Sequence, residues 1–320
     1  MSAETMHGLL SGRLDAAERG EWRQALRAAA PDWTWWTDDD SELPREAIAA
    51  AVVANPAPGA LAGLPQLRLV QSLWAGVEKL LADDTLPAHV PLARMVDPAM
   101  SSAMAETALW AVLSLHRGFF DYAAQQRATE WQPLAQVRAD EVRVLVLGLG
   151  QMGAAVATRL AAQGLRTSAW RATASDRASP AGVSVQVGDR ALPALLSAAD
   201  IVVNLLPLTA STRGLLNAPF FAALPRGASI VNLARGAQVI DADLLAALDS
   251  DRLYRAVLDV FHEEPLPSDH RYWRHPRVTV LPHVAALTDV HSAARVVAAN
   301  LRALREGTPL AHLVDRARGY

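Results

Sequence analysis

The sequence predicts an α/β protein of two domains, each a doubly wound parallel sheet. Three observations carry that expectation. The chain has 320 residues, about the length of two ordinary domains. Short, wholly apolar runs alternate with helical patterns, the rhythm of parallel strands covered on both faces by crossover helices. A glycine-rich turn joins one of those strands to the helix after it.

Composition narrows the function classes. Hydrophobic residues make up 51% and charged residues 20%, enough to build large cores and too apolar for a disordered scaffold. The net charge is -3, so no strong field draws nucleic acid or an anionic membrane. An acidic substrate must then be held by individual arginines. With no cysteine in the chain, disulfides, thiolate catalysis and zinc–thiolate sites are excluded. Met1–Leu14 lacks the apolar core of a secretory leader. The apolar run Ala47–Ala54 stops at Asn55-Pro56, far short of a membrane span. A cytoplasmic protein with no nucleic-acid or membrane partner is the expectation.

No internal repeat or low-complexity tract interrupts the pattern. Ala16–Ala30 reads as an amphipathic helix, and Ala50–Ala54 and Leu67–Leu73 as buried strands separated by prolines. These belong to a small α/β domain over the first hundred residues. An Ala/Leu/Met-rich stretch, Ser101–Gln126, reads as one long helix, followed by a polar connection around Trp131–Asp140. Val142–Leu147, Thr167–Trp170, Ile201–Leu205, Ser229–Leu233 and Ala256–Val260 read as strands, with helices at Ala154–Gln163 and Ala242–Ala247. A last helix, Asp289–Arg305, ends before Gly307-Thr308-Pro309 and is placed back on the first domain. The expected division is 1–100 plus 287–320 for a substrate domain, and 101–286 for a dinucleotide-binding domain.

Strand Val142–Leu147 runs into Gly148-Leu149-Gly150-Gln151-Met152-Gly153, and a helix follows. That flanking context is what a Rossmann-like dinucleotide turn requires. Gly148 permits the tight turn, Gly150 lets the backbone approach a pyrophosphate, and Gly153 allows close helix packing. The helix N-terminus offers oriented N–H groups to phosphate. The alternative is a glycine-rich turn without a ligand.

An acid at the end of the second strand, which would bind the 2′-hydroxyl of NAD, is missing. Trp170-Arg171-Ala172-Thr173 stands there instead, and the first acid is Asp176. A cation at that place suits a 2′-phosphate, so NADP(H) is expected in preference to NAD(H), with Arg177 able to share the role. As a lone arginine, Arg171 also fits a solvated surface position.

Arg235, Glu264 and His283 fall just after strands or in loops of the second half, where ligands bind in open α/β sheets. Reduction of a 2-oxo acid needs a forked cation for the carboxylate, a polarised carbonyl and a proton for the new alkoxide. A histidine held charged by a carboxylate supplies that proton. Taken singly, each residue has an equally ordinary reading: a helix cap, a surface acid, a satisfied histidine.

Together with the glycine turn, the segments Asn232-Leu233-Ala234-Arg235-Gly236, Leu258-Asp259-Val260-Phe261, Glu264-Pro265-Leu266-Pro267 and Leu281-Pro282-His283-Val284-Ala285-Ala286 resemble the D-2-hydroxyacid dehydrogenase family. Within it, Asn204-Leu205-Leu206-Pro207-Leu208-Thr209, Trp273-Arg274-His275-Pro276-Arg277 and Val314-Asp315-Arg316-Ala317-Arg318-Gly319-Tyr320 are similar to the glyoxylate/hydroxypyruvate reductase branch. The likeness runs from about Pro65 onward. It implies an active site in the cleft between two domains. Arg235 would grip carboxylate and carbonyl oxygen, His283 would act as acid and base, and Glu264 would hold and charge it. Leu206, Pro207, Thr212, Leu233, Ala234 and Asp259 would line the cofactor. Trp74-Ala75-Gly76-Val77 matches the family's substrate loop, with Trp74 in place of a small residue.

The activity so implied is NADPH-dependent reduction of glyoxylate, hydroxypyruvate and similar small 2-oxo acids. A dehydrogenase of bulkier 2-hydroxy acids, and a non-enzymatic NAD(P)-sensing protein on the same fold, are the alternatives. The apolar surplus of Ser101–Gln126 predicts a second contact surface. The resemblance implies a homodimer through this region, with Trp131 reaching toward the partner's site. His262 and His275 receive no role.

Overall fold

The computed structural model describes residues 5–319. The first four residues of the Met1–Leu14 segment, and Tyr320 of the C-terminal motif, lie outside them. The chain divides into two compact units, one made of residues up to Ala99 and from Thr288 on, the other of Met100–Leu287. Among the described residues no helix is long and apolar enough to cross a membrane.

The first unit begins β1 (Met6–Gly12), α1 (Ala16–Ala29), β2 (Trp33–Thr37), β3 (Ile48–Ala54), β4 (Leu69–Ser72), α2 (Glu78–Leu81) and β5 (Leu92–Ala93). Its five strands are parallel in the order β2-β1-β3-β4-β5. All seven residues of β3 are buried, which explains its unbroken apolar run. α1 starts with a capping box: Asp15 accepts from the Glu18 amide, and Glu18 accepts from the Asp15 amide. Its inner face is Trp22, Ala25 and Leu26. Strands β1 and β2 had no counterpart in the sequence reading. β1 contains Gly8, over which the Trp35 ring lies so closely that a Cβ would come within 2.7 Å of it. A strand that needs glycine beneath an aromatic ring reads poorly as a strand.

α3 (Pro98–His116) carries the chain from the first unit into the second, and α4 (Phe119–Ala128) follows. The single helix expected over Ser101–Gln126 is therefore two helices. Gly118 breaks it, with φ at 67° in the left-handed region that glycine enters without a steric cost. Then follow β6 (Arg143–Leu147), α5 (Gln151–Ala161), β7 (Arg166–Arg171), β8 (Ser184–Val187), α6 (Leu192–Ala198), β9 (Ile201–Asn204), α7 (Ala218–Ala223), β10 (Ala228–Asn232), α8 (Asp241–Asp249), β11 (Leu253–Leu258) and β12 (Val278–Val280). All seven strands are parallel, in the order β12-β11-β10-β9-β6-β7-β8. The chain leaves β6 in one direction and returns to its other side at β9, so the switch point lies between β6 and β9. Separate apolar clusters cover the two faces of this sheet, one around Phe221, Leu244 and Leu258, the other around Val112, Val146 and Val231. Each such side chain, fully buried, contributes roughly 1.5–3 kcal/mol relative to exposure.

The chain ends in the first unit with α9 (Val290–Glu306), packed on α1. Asp289 caps its start and Gly307, at φ 68°, its end. Asn300 on its buried face donates to Gln71 Oε1 at 2.7 Å.

Candidate active site

The glycine turn follows the central strand β6 at the switch point. Gly148 has φ of 93°, and a Cβ on it would come within 2.8 Å of the Leu205 carbonyl oxygen. Gly153, buried on α5, has no room for a Cβ at all, because the Gly148 carbonyl occupies that place. Gly150 differs: a Cβ there would meet open space. Two glycines are thus demanded by packing and the third leaves a clear approach to the backbone. The N–H groups of Leu149, Gly150, Gln151 and Met152 find no acceptor among the described residues, as a helix start dictates. A phosphate-bearing ligand fits this cradle.

Arg171 closes β7, and its Nη2 donates to the Ser175 carbonyl at 3.3 Å. Its Nε is buried and has no partner among the described residues. Arg177, in the same loop, donates its backbone amide to Ser175 Oγ at 3.2 Å. No carboxylate stands between Trp170 and Asp176.

Across the switch point, β9 ends in Asn204 and β10 in Asn232. Both are buried, as is Gln238 in the 3-10 turn Gly236–Gln238. Asn204 Nδ2 donates to Asn232 Oδ1 at 3.0 Å and to Gln238 Oε1 at 2.7 Å. Gln238 Nε2 donates to the carbonyls of Leu206 and Pro207 at 3.1 and 3.0 Å. Asn232 accepts from the Ala234 amide and donates to the Arg235 carbonyl. Thr212 Oγ1 donates to the Pro207 carbonyl at 2.7 Å and accepts from the Thr209 amide at 2.8 Å. Leu206, Pro207 and Thr212 thus form one braced loop, linked to Leu233, Ala234 and Arg235. The sequence reading missed this amide cluster. Its trace is an asparagine closing each of two buried strands, since a buried amide must find partners.

Arg235 precedes Gly236, whose missing Cβ lets the turn rest against the Phe261 backbone. Its Nη1 donates to the Ala234 carbonyl at 2.7 Å. Glu264 and His283 form a pair, with Nδ1 2.7 Å from Glu264 Oε2. Glu264 Oε1 accepts from the Phe261 amide at 2.9 Å, so both carboxylate oxygens are engaged. His283 Nε2 has no partner among the described residues and is the ring atom left for a ligand. The segment carrying His283 extends the β11–β12 pairing: Leu281 donates to the Leu258 carbonyl and His283 to the Asp259 carbonyl. The buried Asp259 carboxylate then accepts the amides of Val284 and Ala285 at 2.7 and 3.1 Å. His283 itself has φ of 55°, an uncommon conformation for a non-glycine residue and one found at constrained functional positions.

The charges fit the geometry. The hydrogen bond that His283 donates to Glu264 raises the imidazolium above its ordinary pKa against the pull of burial, and the charges of Glu264 and Asp259 add to it while Arg235 opposes it. Burial resists ionisation of Glu264, yet the bonds from His283 and the Phe261 amide hold its carboxyl below the usual range. Burial pushes Asp259 up, against the two amides it accepts. Arg235 acts on both Glu264 and His283 through its charge, so the three residues form one electrostatic group.

In the first unit, Trp74, Ala75, Gly76 and Val77 follow β4. Trp74 is half-buried, with its amide donated to Ser72 Oγ and its carbonyl accepting from Met95, both at 3.0 Å. The next three amides, Ala75, Gly76 and Val77, have no acceptor among the described residues. His262 Nε2 lies 2.7 Å from the Val239 carbonyl, and His275 pairs with Asp249.

Residues 109–285 match the family model described as D-isomer specific 2-hydroxyacid dehydrogenase, NAD binding domain. A glyoxylate/hydroxypyruvate reductase A of Yersinia enterocolitica is 38% identical over 310 residues, covering 95% of this chain and 97% of the relative. A D-isomer specific 2-hydroxyacid dehydrogenase of Xanthobacter autotrophicus, solved with NADPH and MES, is 39% identical with a TM-score of 0.93, covering 99% of this chain and 100% of the other. An NADPH-dependent glyoxylate/hydroxypyruvate reductase of Sinorhizobium meliloti, solved with NADP and sulfate, is 35% identical with a TM-score of 0.90, covering 98% and 100%. With the family model matching more than half of its length and relatives matching nearly all of it, the chain belongs to the D-isomer specific 2-hydroxyacid dehydrogenase family.

Proposed function

We propose that the protein reduces small 2-oxo acids, glyoxylate and hydroxypyruvate among them, to 2-hydroxy acids with NADPH. The carrying observation is the 2.7 Å His283–Glu264 pair, grouped electrostatically with Arg235 at the carboxyl end of the sheet. The names of the relatives and the NADPH or NADP in the solved neighbours support the same reading. The second unit takes the dinucleotide: Gly148–Gly153 holds the pyrophosphate, Arg171 the 2′-phosphate, and Leu206, Pro207, Thr212, Leu233, Ala234 and Asp259 line the remainder. Bound there, NADPH supplies the hydride.

Arg235 holds the substrate carboxylate with its planar fork and polarises the 2-oxo group. His283, charged by Glu264, gives its Nε2 proton to the oxygen as negative charge grows there, while Nδ1 keeps its bond to Glu264. One 2-oxo acid, one hydride and one proton then yield the 2-hydroxy acid. In the same reading the protein works as a homodimer in the cytoplasm, where NADPH is regenerated.

Initial rates of NADPH and NADH oxidation over a panel of 2-oxo acids test this. Turnover of glyoxylate and hydroxypyruvate with NADPH is expected. Tight NADPH binding with no turnover of any 2-oxo acid would replace the enzyme by a sensor. Preference for branched or aromatic acids would move the substrate class.

A further inference from the structure

We propose that Asn204, Asn232 and Gln238 form a positioning triad that couples the cofactor-facing loop Leu205–Pro207 to the turn carrying Arg235. The inference rests on the reading of Arg235 as the carboxylate anchor. None of the three touches a ligand, since Asn204 is 1% exposed and the others 0%.

Polar side chains in such a place need a reason. Asn204 and Asn232 close buried strands whose other residues are apolar but for Ser229, and Gln238 lies in the buried turn beside them, where unpaired amides are costly and apolar residues would pack without that cost. The cluster is paired throughout. Asn204 commits Nδ2 to Asn232 and Gln238, and its Oδ1 accepts from the Leu206 amide at 3.3 Å. Gln238 commits Nε2 to two carbonyls and Oε1 to Asn204. Each amide therefore has one orientation, because flipping Gln238 would set its oxygen against the Leu206 and Pro207 carbonyls. A fully paired buried network of this kind rigidifies what it joins.

What it joins decides its role. On one side are the Leu206 amide and the carbonyls of Leu206 and Pro207. On the other is the Arg235 carbonyl, which accepts from Asn232 Nδ2 at 3.2 Å and from the Gln238 backbone amide at 3.3 Å. Asn204 bridges the two. A shift of the Leu205–Pro207 loop is thus transmitted to the backbone from which the guanidinium projects. The triad sets the anchor for the 2-oxo acid and the wall for the cofactor in a single register.

Gln238→Met keeps length and removes every polar contact of the side chain, leaving the backbone bond to the Arg235 carbonyl. Its effects are read as the NADPH Kd by tryptophan-fluorescence titration without 2-oxo acid, the glyoxylate KM and kcat, and the thermal midpoint, each repeated in an Arg235→Lys background. The expected result is a rise of about tenfold in both Kd and KM, the scale of leaving a buried amide partner unsatisfied. In the Arg235→Lys background the rise in KM should shrink to within about twofold, while the rise in Kd persists, since residues acting through one another are not additive. A lowered midpoint with unchanged Kd and KM would reduce the triad to a structural filler. Equal rises in KM in both backgrounds would overturn its action through Arg235. Should Gln238→Met fail to fold, Asn232→Ser, which keeps a donor and an acceptor but shortens the reach to the Arg235 carbonyl, carries the same cycle. A wild-type protein inert to every 2-oxo acid would sink the function reading instead, and the NADPH titration would still judge the triad's hold on the cofactor loop.

Discussion

At the scale of the residue, the proposed acid–base role of the Glu264–His283 pair predicts how activity should depend on pH. Glu264 keeps the imidazolium charged above the ordinary value of 6.5. Reduction needs the charged form, so it should persist through that value and fall as pH rises through the raised one. Oxidation of the 2-hydroxy acid needs neutral His283 and should rise over the same interval. In Glu264→Gln both limbs should move to lower pH, and profiles that stay in place would remove Glu264 from the role. His283→Ala should cost about 10²–10⁴ in rate, the usual scale of acid–base help, with near-normal turnover as the contrary result. Arg171 invites a second measurement. A charge-assisted bond to a 2′-phosphate is worth roughly 1.5–3 kcal/mol, so kcat/KM with NADPH should exceed that with NADH by at least about tenfold. Arg171→Ala should erode that preference through the NADPH constant alone. A preference that survives the substitution would transfer the phosphate to Arg177.

At the scale of the element, the turn between β6 and α5 separates glycines that the fold requires from one that it does not. A Cβ on Gly153 collides with the Gly148 carbonyl, so Gly153→Ala should destabilise the protein by about 1–3 kcal/mol, the range of overpacking, and lower its thermal midpoint. A Cβ on Gly150 meets nothing, and its φ of −77° suits any residue. Gly150→Ala should therefore leave the midpoint unchanged and weaken NADPH binding, because the methyl would stand in the path of a pyrophosphate held by this turn. A Gly150→Ala variant with native affinity would place the phosphates elsewhere. These elements were legible in the sequence because parallel strands buried on both faces are wholly apolar and the glycines between them are obligatory. β1 and β2 were not, since Gly8 beneath Trp35 and the tryptophans and threonines of an edge strand carry no such run. Nor was the break at Gly118, where one left-handed residue divides a continuous helical composition. The Arg235, Glu264 and His283 positions were legible as residue types after strands. The Asn204–Asn232–Gln238 cluster was not, because its meaning lies in which side chains meet across β9 and β10.

At the scale of the whole molecule, the open question is how many chains act together. Trp131 is 97% exposed, Phe119 52%, Val137 50% and Trp110 43%. All four fall between the second half of α3 and the segment after α4, a concentration of large apolar side chains that a protein working alone rarely leaves in water. Aromatic residues of this kind are also the ones that interfaces favour. The segment is not slack. The Leu134 amide donates to the Tyr122 hydroxyl at 3.0 Å, and Arg117 Nε to Gln136 at 2.7 Å, so Trp131 is presented from a braced support. We expect light scattering at micromolar concentration to give twice the 34.3 kDa of one chain. Phe119→Glu should weaken the dimer by burying a charge in the interface, and the variant should regain mass as concentration rises. Trp131→Ala separates assembly from catalysis. If Trp131 reaches the partner's substrate, the variant should stay dimeric while its KM for 2-oxo acids rises. A fully active monomer at every concentration would end the dimer proposal, and a dimeric Trp131→Ala enzyme with native KM would confine Trp131 to the interface.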